Sequence, residues 1–187
     1  MTTRHVAVLV GSLRKDSLNR KTALALATIA APALTLDIVE IGELPLYNQD
    51  DDTSTPLDPW TAFRARMKKA DAVLFVTPEF NRSVPGALKN AIDVGSRPYG
   101  QSVFEGKPAA VISVSPGAIG GFGANHHLRQ SLVFLNMPTM QQPEAYIGGA
   151  ATMFDASGAL TNTATREFLQ KFAAAFASWI EIYLAKQ

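Results

Sequence analysis

Val6-Ala7-Val8-Leu9-Val10-Gly11-Ser12-Leu13-Arg14-Lys15-Asp16-Ser17-Leu18-Asn19 is the stretch on which the fold turns. Its first five residues are continuously apolar rather than alternating, which suits a central parallel strand covered on both faces. A polar loop follows at once, and then a helix-forming run over residues 19–30. The first turn of a helix presents unsatisfied N–H groups and the positive end of the dipole, so a phosphate dianion is favoured there. Ser12, Ser17 and Asn19 offer donors, Arg14 offers a charge-assisted contact matched to phosphate oxygens, and Lys15 faces solvent. The loop is neither GxGxxG nor GxxxxGK[ST], which points away from a dinucleotide cradle or P-loop and toward a mononucleotide phosphate. An ordinary strand-to-helix turn capped by Ser17 or Asn19 would fit the same residues.

Working outward, similar apolar runs occur at residues 36–41, 72–76 and 109–114, with a weaker one at 144–147, giving five strands. Helical segments fall between them at residues 19–30, 57–69, 86–94 and 123–134. A closing helix over residues 163–185 sets Phe168, Leu169, Phe172, Phe176, Trp179, Ile180 and Tyr183 on one stripe. Alternating β and α units require parallel strands with right-handed crossovers, so the expectation is a three-layer α/β sandwich. Residues 48–59 form the one long loop that reads as mobile, a candidate lid or interface.

The chain has 187 residues, 47% of them hydrophobic, which is enough for one sizeable core and predicts a single domain over 1–187. A formal net charge of +1 argues against a nucleic-acid footprint. There is no cysteine, which removes disulfides, thiolate catalysis and iron–sulfur clusters, and leaves redox chemistry to a bound organic cofactor. The apolar run at 6–10 is too short for a signal core or a membrane span, so a cytoplasmic protein is expected.

Two further loops are unusual. Thr77-Pro78-Glu79-Phe80-Asn81-Arg82-Ser83-Val84-Pro85-Gly86 is stiffened by two prolines and sets an aromatic ring and an amide where a planar ligand could lie, with Ser83 read as the cap of the next helix. Read structurally, it is a turn that exposes one aromatic side chain. Ser115-Pro116-Gly117-Ala118-Ile119-Gly120-Gly121-Phe122-Gly123 is glycine-rich where a ligand needs close approach, with Ser115 as its polar contact; a plain flexible turn is the alternative. In a doubly wound sheet of order 2-1-3-4-5, strands one, three and four are neighbours and ligands sit beyond their carboxyl ends. All three unusual loops follow those strands, and their convergence points to bound FMN.

GSLRKDSLN, TPEFNRSVPGALKNAID, SRPYG and SPGAIGG together resemble the NADPH-dependent FMN reductase family, which includes quinone and chromate reductases, over residues 6–147. The resemblance implies a flavodoxin-like fold. It implies that Ser12, Leu13, Arg14, Ser17, Leu18 and Asn19 hold the FMN phosphate. Pro78, Glu79, Phe80 and Asn81 would line the isoalloxazine, and Ser115 and Gly117 would approach its other edge. It further implies NADPH or NADH as co-substrate, a quinone-like acceptor, and a homodimer or homotetramer. Phe80 stands where many relatives carry tyrosine, Val94 follows Asp93 where tryptophan is common, and His126-His127 opens a helix that in relatives meets another subunit. Because flavin carries the chemistry, no catalytic acid, base or nucleophile is assigned. Adjacent His126 and His127 do not make an i, i+4 metal pair, so no metal site is expected. A receiver domain would need an acidic cluster where Ser12, Arg14 and Lys15 stand. The rival is a flavodoxin-type electron carrier, which usually steers to its partners with strong negative charge that this chain lacks.

Overall fold

A computed structural model describes residues 3–185. Among them, five strands, β1 (Arg4–Val10), β2 (Leu34–Ile38), β3 (Ala72–Thr77), β4 (Ala109–Val114) and β5 (Ala145–Ile147), alternate with five helices, α1 (Leu18–Ala30), α2 (Asp58–Lys68), α3 (Gly86–Gly95), α4 (Phe122–Phe134) and α5 (Thr163–Leu184). The sheet order is β2-β1-β3-β4-β5 and every pairing is parallel. This is the flavodoxin-like doubly wound arrangement the sequence predicts.

Residues of opposite parity along each strand feed two separate cores. Val6, Val8, Val10, Leu74, Val76, Ile112 and Val114 face α1 and α5, where Leu26, Phe172, Phe176 and Ile180 close over them. Ala7, Leu9, Val73, Phe75 and Val111 face the other way, under Trp60, Phe63, Met67, Leu88, Ile92, Leu128 and Leu132 of α2, α3 and α4. Each large side chain buried this way contributes about 1.5–3 kcal/mol. Two-sided burial is why β1, β3 and β4 read as unbroken apolar runs.

β2 departs from its expected span of residues 36–41. It is the edge strand and half exposed, and it leaves the ladder after Ile38, so that Val39 and Ile41 sink into the α2/α3 core. The loop over residues 48–59 also differs from expectation, because it is tied down. Asn48 caps a single 3-10 turn (Gln49–Asp51), and the Asp52 carboxylate, whose side chain is 1% exposed, pairs bidentately with Arg64 at 2.8 and 2.7 Å. Arg64 Nε donates to Val94 O at 2.8 Å, and the Tyr47 hydroxyl donates to Asp52 at 3.2 Å. Upstream, Asn90 accepts from Tyr47 N–H at 2.8 Å and donates to Leu44 O and Pro45 O. The segment is a strap rather than a free lid.

Removing one partner of a buried ion pair leaves the other charge uncompensated. Asp52→Ala is therefore expected to cost about 3–5 kcal/mol of stability, a fall in Tm of roughly 10 °C. The Arg64 hydrogen bonds hold the Asp52 carboxyl below its ordinary value, against the opposing effect of burial. With the folded value lowered, the pair's contribution is complete above the unfolded carboxyl value of about 3.9 and is lost as pH falls through the folded value. Urea denaturation at pH 7 and pH 3 should find the gap between wild type and variant narrower at pH 3.

Candidate functional site

The site is built where β1, β3 and β4 end. Gly11 N–H donates to Val76 O at 2.9 Å, which fixes the start of the first loop against β3. A Cβ at Gly11 would lie 3.1 Å from Pro78 Cδ and 3.2 Å from Leu88 Cδ2, so the loops after β1 and β3 are in close contact and a larger residue would wedge them apart. Ser17 is the N-cap of α1, its Oγ accepting from Arg20 N–H at 3.1 Å, which decides between the two caps the sequence allowed. Arg20 is held by Glu40 at 2.5 and 3.1 Å, and Asp16 pairs with Lys21 at 3.3 Å. The Arg20 contact lowers the Glu40 carboxyl from its ordinary value. Arg14, by contrast, is exposed and has no hydrogen-bond or ion-pair partner among the described residues. Asn19 Oδ1 is buried and likewise without a partner, although such buried oxygens are normally satisfied. The first loop thus combines a helix N-terminus, a free guanidinium and an unmet amide, with Ser12 half-buried and Leu13 exposed beside them.

The loop after β3 makes a tight hairpin. Phe80 N–H donates to Ser83 O at 3.0 Å and Ser83 N–H to Phe80 O at 2.9 Å, with Asn81 (φ 51°) and Arg82 (φ 66°) both left-handed between them. Two such residues in succession define a type I′ turn, and neither is glycine. The turn holds Phe80 outward, 54% exposed. Ser83 does not cap α3: Pro85 occupies that position without a side-chain bond, and Ser83 Oγ instead meets His127 Nδ1 at 3.1 Å.

Glu79 does something the sequence did not disclose. Its side chain is only 15% exposed, and Oε2 accepts from Ala124 N–H at 3.1 Å, placing a carboxylate on the N-terminus of α4. Arg82 sits at 3.4 Å from its other oxygen. Its carboxylate is therefore engaged with α4, and the face it can offer a ligand is its backbone. Pro78 packs on the first loop and Glu79 on the third, so the three loops are contiguous through two adjacent residues.

In the loop after β4, Ser115 Oγ accepts from Gly117 N–H at 3.1 Å, while Ser115 N–H donates to Ile147 O. Gly120 (φ +64°) lies so close to β5 that a Cβ there would come within 2.7 Å of the Tyr146 carbonyl carbon. His126 and His127 are exposed. His126 belongs to an aromatic group that sequence reasoning also missed: its ring lies 4.2 Å from Phe122 and 6.0 Å from Tyr146, and Nε2 is 3.1 Å from the Tyr146 hydroxyl. Burial, aided by nearby Glu144, pushes the Tyr146 phenol up to about 12. No local signal links residues 20 apart; only the strand–helix alternation puts β5 beside α4.

The arrangement can take a phosphate at the first loop and a flat ring between the second and third. Comparison with known proteins places it. A quinone reductase of Pseudomonas putida is 67% identical over 177 residues, 95% of each chain. A 2-hydroxy-1,4-benzoquinone reductase of Burkholderia sp is 48% identical, covering 94% of this chain and 95% of that one. The solved flavoenzyme NAD(P)H:(acceptor) oxidoreductase of Paracoccus denitrificans superposes with a TM-score of 0.90 at 46% identity, over 96% of this chain and 98% of that one. Residues 4–152 match the family described as NADPH-dependent FMN reductase, and the chain belongs to that family.

Proposed function

We propose that this chain binds FMN and uses it to oxidise NADPH or NADH and reduce quinones in a ping-pong cycle, the nicotinamide and the acceptor occupying one open face in turn. The observation that carries the reading is the exposed and unpartnered guanidinium of Arg14 beside the N-terminus of α1. The oxygens of a terminal phosphate accept hydrogen bonds from both. Ser12, Leu13, Arg14, Ser17, Leu18 and Asn19 hold the phosphate. The backbone of Pro78, Glu79 and Asn81, the exposed ring of Phe80, and Ser115 with Gly117 line the isoalloxazine. The flavin, when bound, supplies the hydride chemistry, and the chain orients it and leaves one face open.

The relatives named as reductases favour an enzyme over a non-catalytic carrier. Chromate, azo compounds, ferric complexes and free flavin are further acceptors, since reduced flavin is chemically undiscriminating. Among the described residues no helix is long and apolar enough to cross a membrane, in keeping with a cytoplasmic enzyme. Tyr99, Val133 and Phe134, 83, 78 and 72% exposed, are the kind of apolar surface that a homodimer or homotetramer covers. Sedimentation equilibrium at micromolar concentration should find an oligomer, and a monomer throughout would remove this element.

Two experiments test the core of the reading. Rapid anaerobic mixing of the FMN-loaded protein with NADPH should bleach the flavin absorbance without any protein partner; a flavin that stays oxidised would overturn the enzyme assignment. Arg14→Ala should weaken FMN binding about 10- to 100-fold, the range for a hydrogen bond to a charged group. Riboflavin, which has no phosphate, should bind the variant and wild type within about twofold, and an equal loss for both ligands would place Arg14 elsewhere.

A further inference from the structure

α4 begins without a cap of its own. Its N-cap position is Gly121, left-handed at φ 75° and with no side chain to offer the free N–H groups of the first turn. The missing acceptor comes from 45 residues away: Glu79 Oε2 takes the Ala124 N–H at 3.1 Å, the bond that a Ser or Asp at the cap position makes in other helices. Sheet register delivers the carboxylate there. Thr77 is paired with Ser113 across β3 and β4, and Glu79 stands two residues beyond that pair. A Cβ at Gly123 would lie 3.0 Å from Glu79 Oε2 and 2.9 Å from Arg82 O, so glycine at this position is what lets both the carboxylate and the turn seat against α4. The Glu79 side chain is 15% exposed, whereas Arg82, 3.4 Å from its other oxygen, is 78% exposed and makes only a rim contact. The helix is the main holder of this carboxylate.

We propose that Glu79 is a positioning residue for the flavin ring: by capping α4 its carboxylate fixes the backbone from Pro78 to Asn81 on which the isoalloxazine is laid, and Gly123 is kept free of a side chain for that contact. The inference rests on the FMN reading above and gives the ring end of the site its anchor, as Arg14 does the phosphate end. Without the cap, the two reciprocal bonds between Phe80 and Ser83 preserve the shape of the turn, and the Ser83–His127 contact holds its far arm. The near arm, which carries the ring-lining backbone, then loses its tie to the third loop. A flavin ring must order that arm as it binds, which lowers affinity without removing any direct contact.

The test compares wild type with Glu79→Ala, Glu79→Gln, Gly123→Ala and the double variant of Glu79→Ala with Gly123→Ala, each as the full chain. Thermal melting is recorded, Kd values for FMN and riboflavin are taken from quenching of flavin fluorescence, and the visible circular dichroism of the bound flavin reports whether the ring is held in one setting. Glu79→Ala should raise both Kd values by the same factor, about 10-fold, near the low end for a hydrogen bond to a charged group, and should diminish the visible dichroism. Equal loss for the two ligands separates the ring end from the phosphate end, where Arg14→Ala weakens FMN alone. Glu79→Gln should bind within about threefold of wild type, since its amide oxygen accepts the same bond. Gly123→Ala should reproduce the loss, and the double variant should lose no more than either single one, because both changes break one contact.

The idea is overturned if folded Glu79→Ala or Gly123→Ala melts lower yet binds both flavins as wild type does, if FMN alone is weakened, if Glu79→Gln binds no better than Glu79→Ala, or if the losses multiply in the double variant. Should Glu79→Ala not fold, Gly123→Ala carries the same comparison of FMN with riboflavin. A wild type that binds neither flavin would instead strike the FMN reading.

Discussion

The parallel pairing of β1 with β3 and of β3 with β4 is the constraint from which the rest of the molecule follows. Parallel neighbours start and end at the same sides of the sheet, and their hydrogen bonds fix the register, Val10 opposite Val76 and Thr77 opposite Ser113. The three loops that leave these strands must therefore emerge side by side. Order β2-β1-β3-β4-β5 places the first crossover toward one edge and the later ones toward the other, and a crevice opens where the direction changes. The pocket is a consequence of connectivity before any side chain is chosen.

Side chains then close the gaps between the loops. Pro78 packs so near Gly11 that a Cβ there would lie 3.1 Å from its Cδ, and Glu79 reaches the N-terminus of α4, so a single dipeptide at the end of β3 spaces all three. The Glu79 carboxylate draws on the dipole of a 13-residue helix, which fixes its orientation more firmly than a solvent-exposed pair would. On the opposite flank, the strap around Asp52 and Arg64 ties the β2–α2 connection to the end of α3, the helix that follows the same loop.

What could be read in the sequence divides along the range of the interactions concerned. β1, β3 and β4 were legible because burial on both faces leaves a continuous apolar signature, and α5 because Leu169, Phe172, Phe176 and Ile180 repeat at helical spacing. β2 was displaced by two to three residues, since an edge strand alternates and its apolar successors Val39 and Ile41 belong to the core below it. Glycine and proline marked the loops, as they constrain the backbone locally. The Asp52–Arg64 pair, the Glu79 cap and the Phe122–His126–Tyr146 group join residues 12, 45 and 20–24 apart, and no local pattern encodes such meetings. Ser83 was misassigned for the same reason: as a lone polar residue before a helix it resembles a cap, while its backbone is committed to Phe80 and its hydroxyl to His127.

The type I′ turn at Asn81 and Arg82 shows how local strain and tertiary contacts trade against each other. Holding a non-glycine residue in the left-handed region costs roughly 1–2 kcal/mol, and glycine at either position would avoid it. Asn is the more tolerant of the two, and Arg82 carries the larger cost. The turn persists because its surroundings determine it several times over: two reciprocal backbone bonds between Phe80 and Ser83, the Ser83–His127 contact, and Glu79 locked to α4 on its other side. A relaxed turn of another type would splay the two arms, because only the primed turns match the twist of the flanking chain. Phe80 would then lose its fixed outward direction at the end of β3. Strain maintained at this cost fixes the direction of the one aromatic residue that the loop exposes, which a slack turn would leave undetermined.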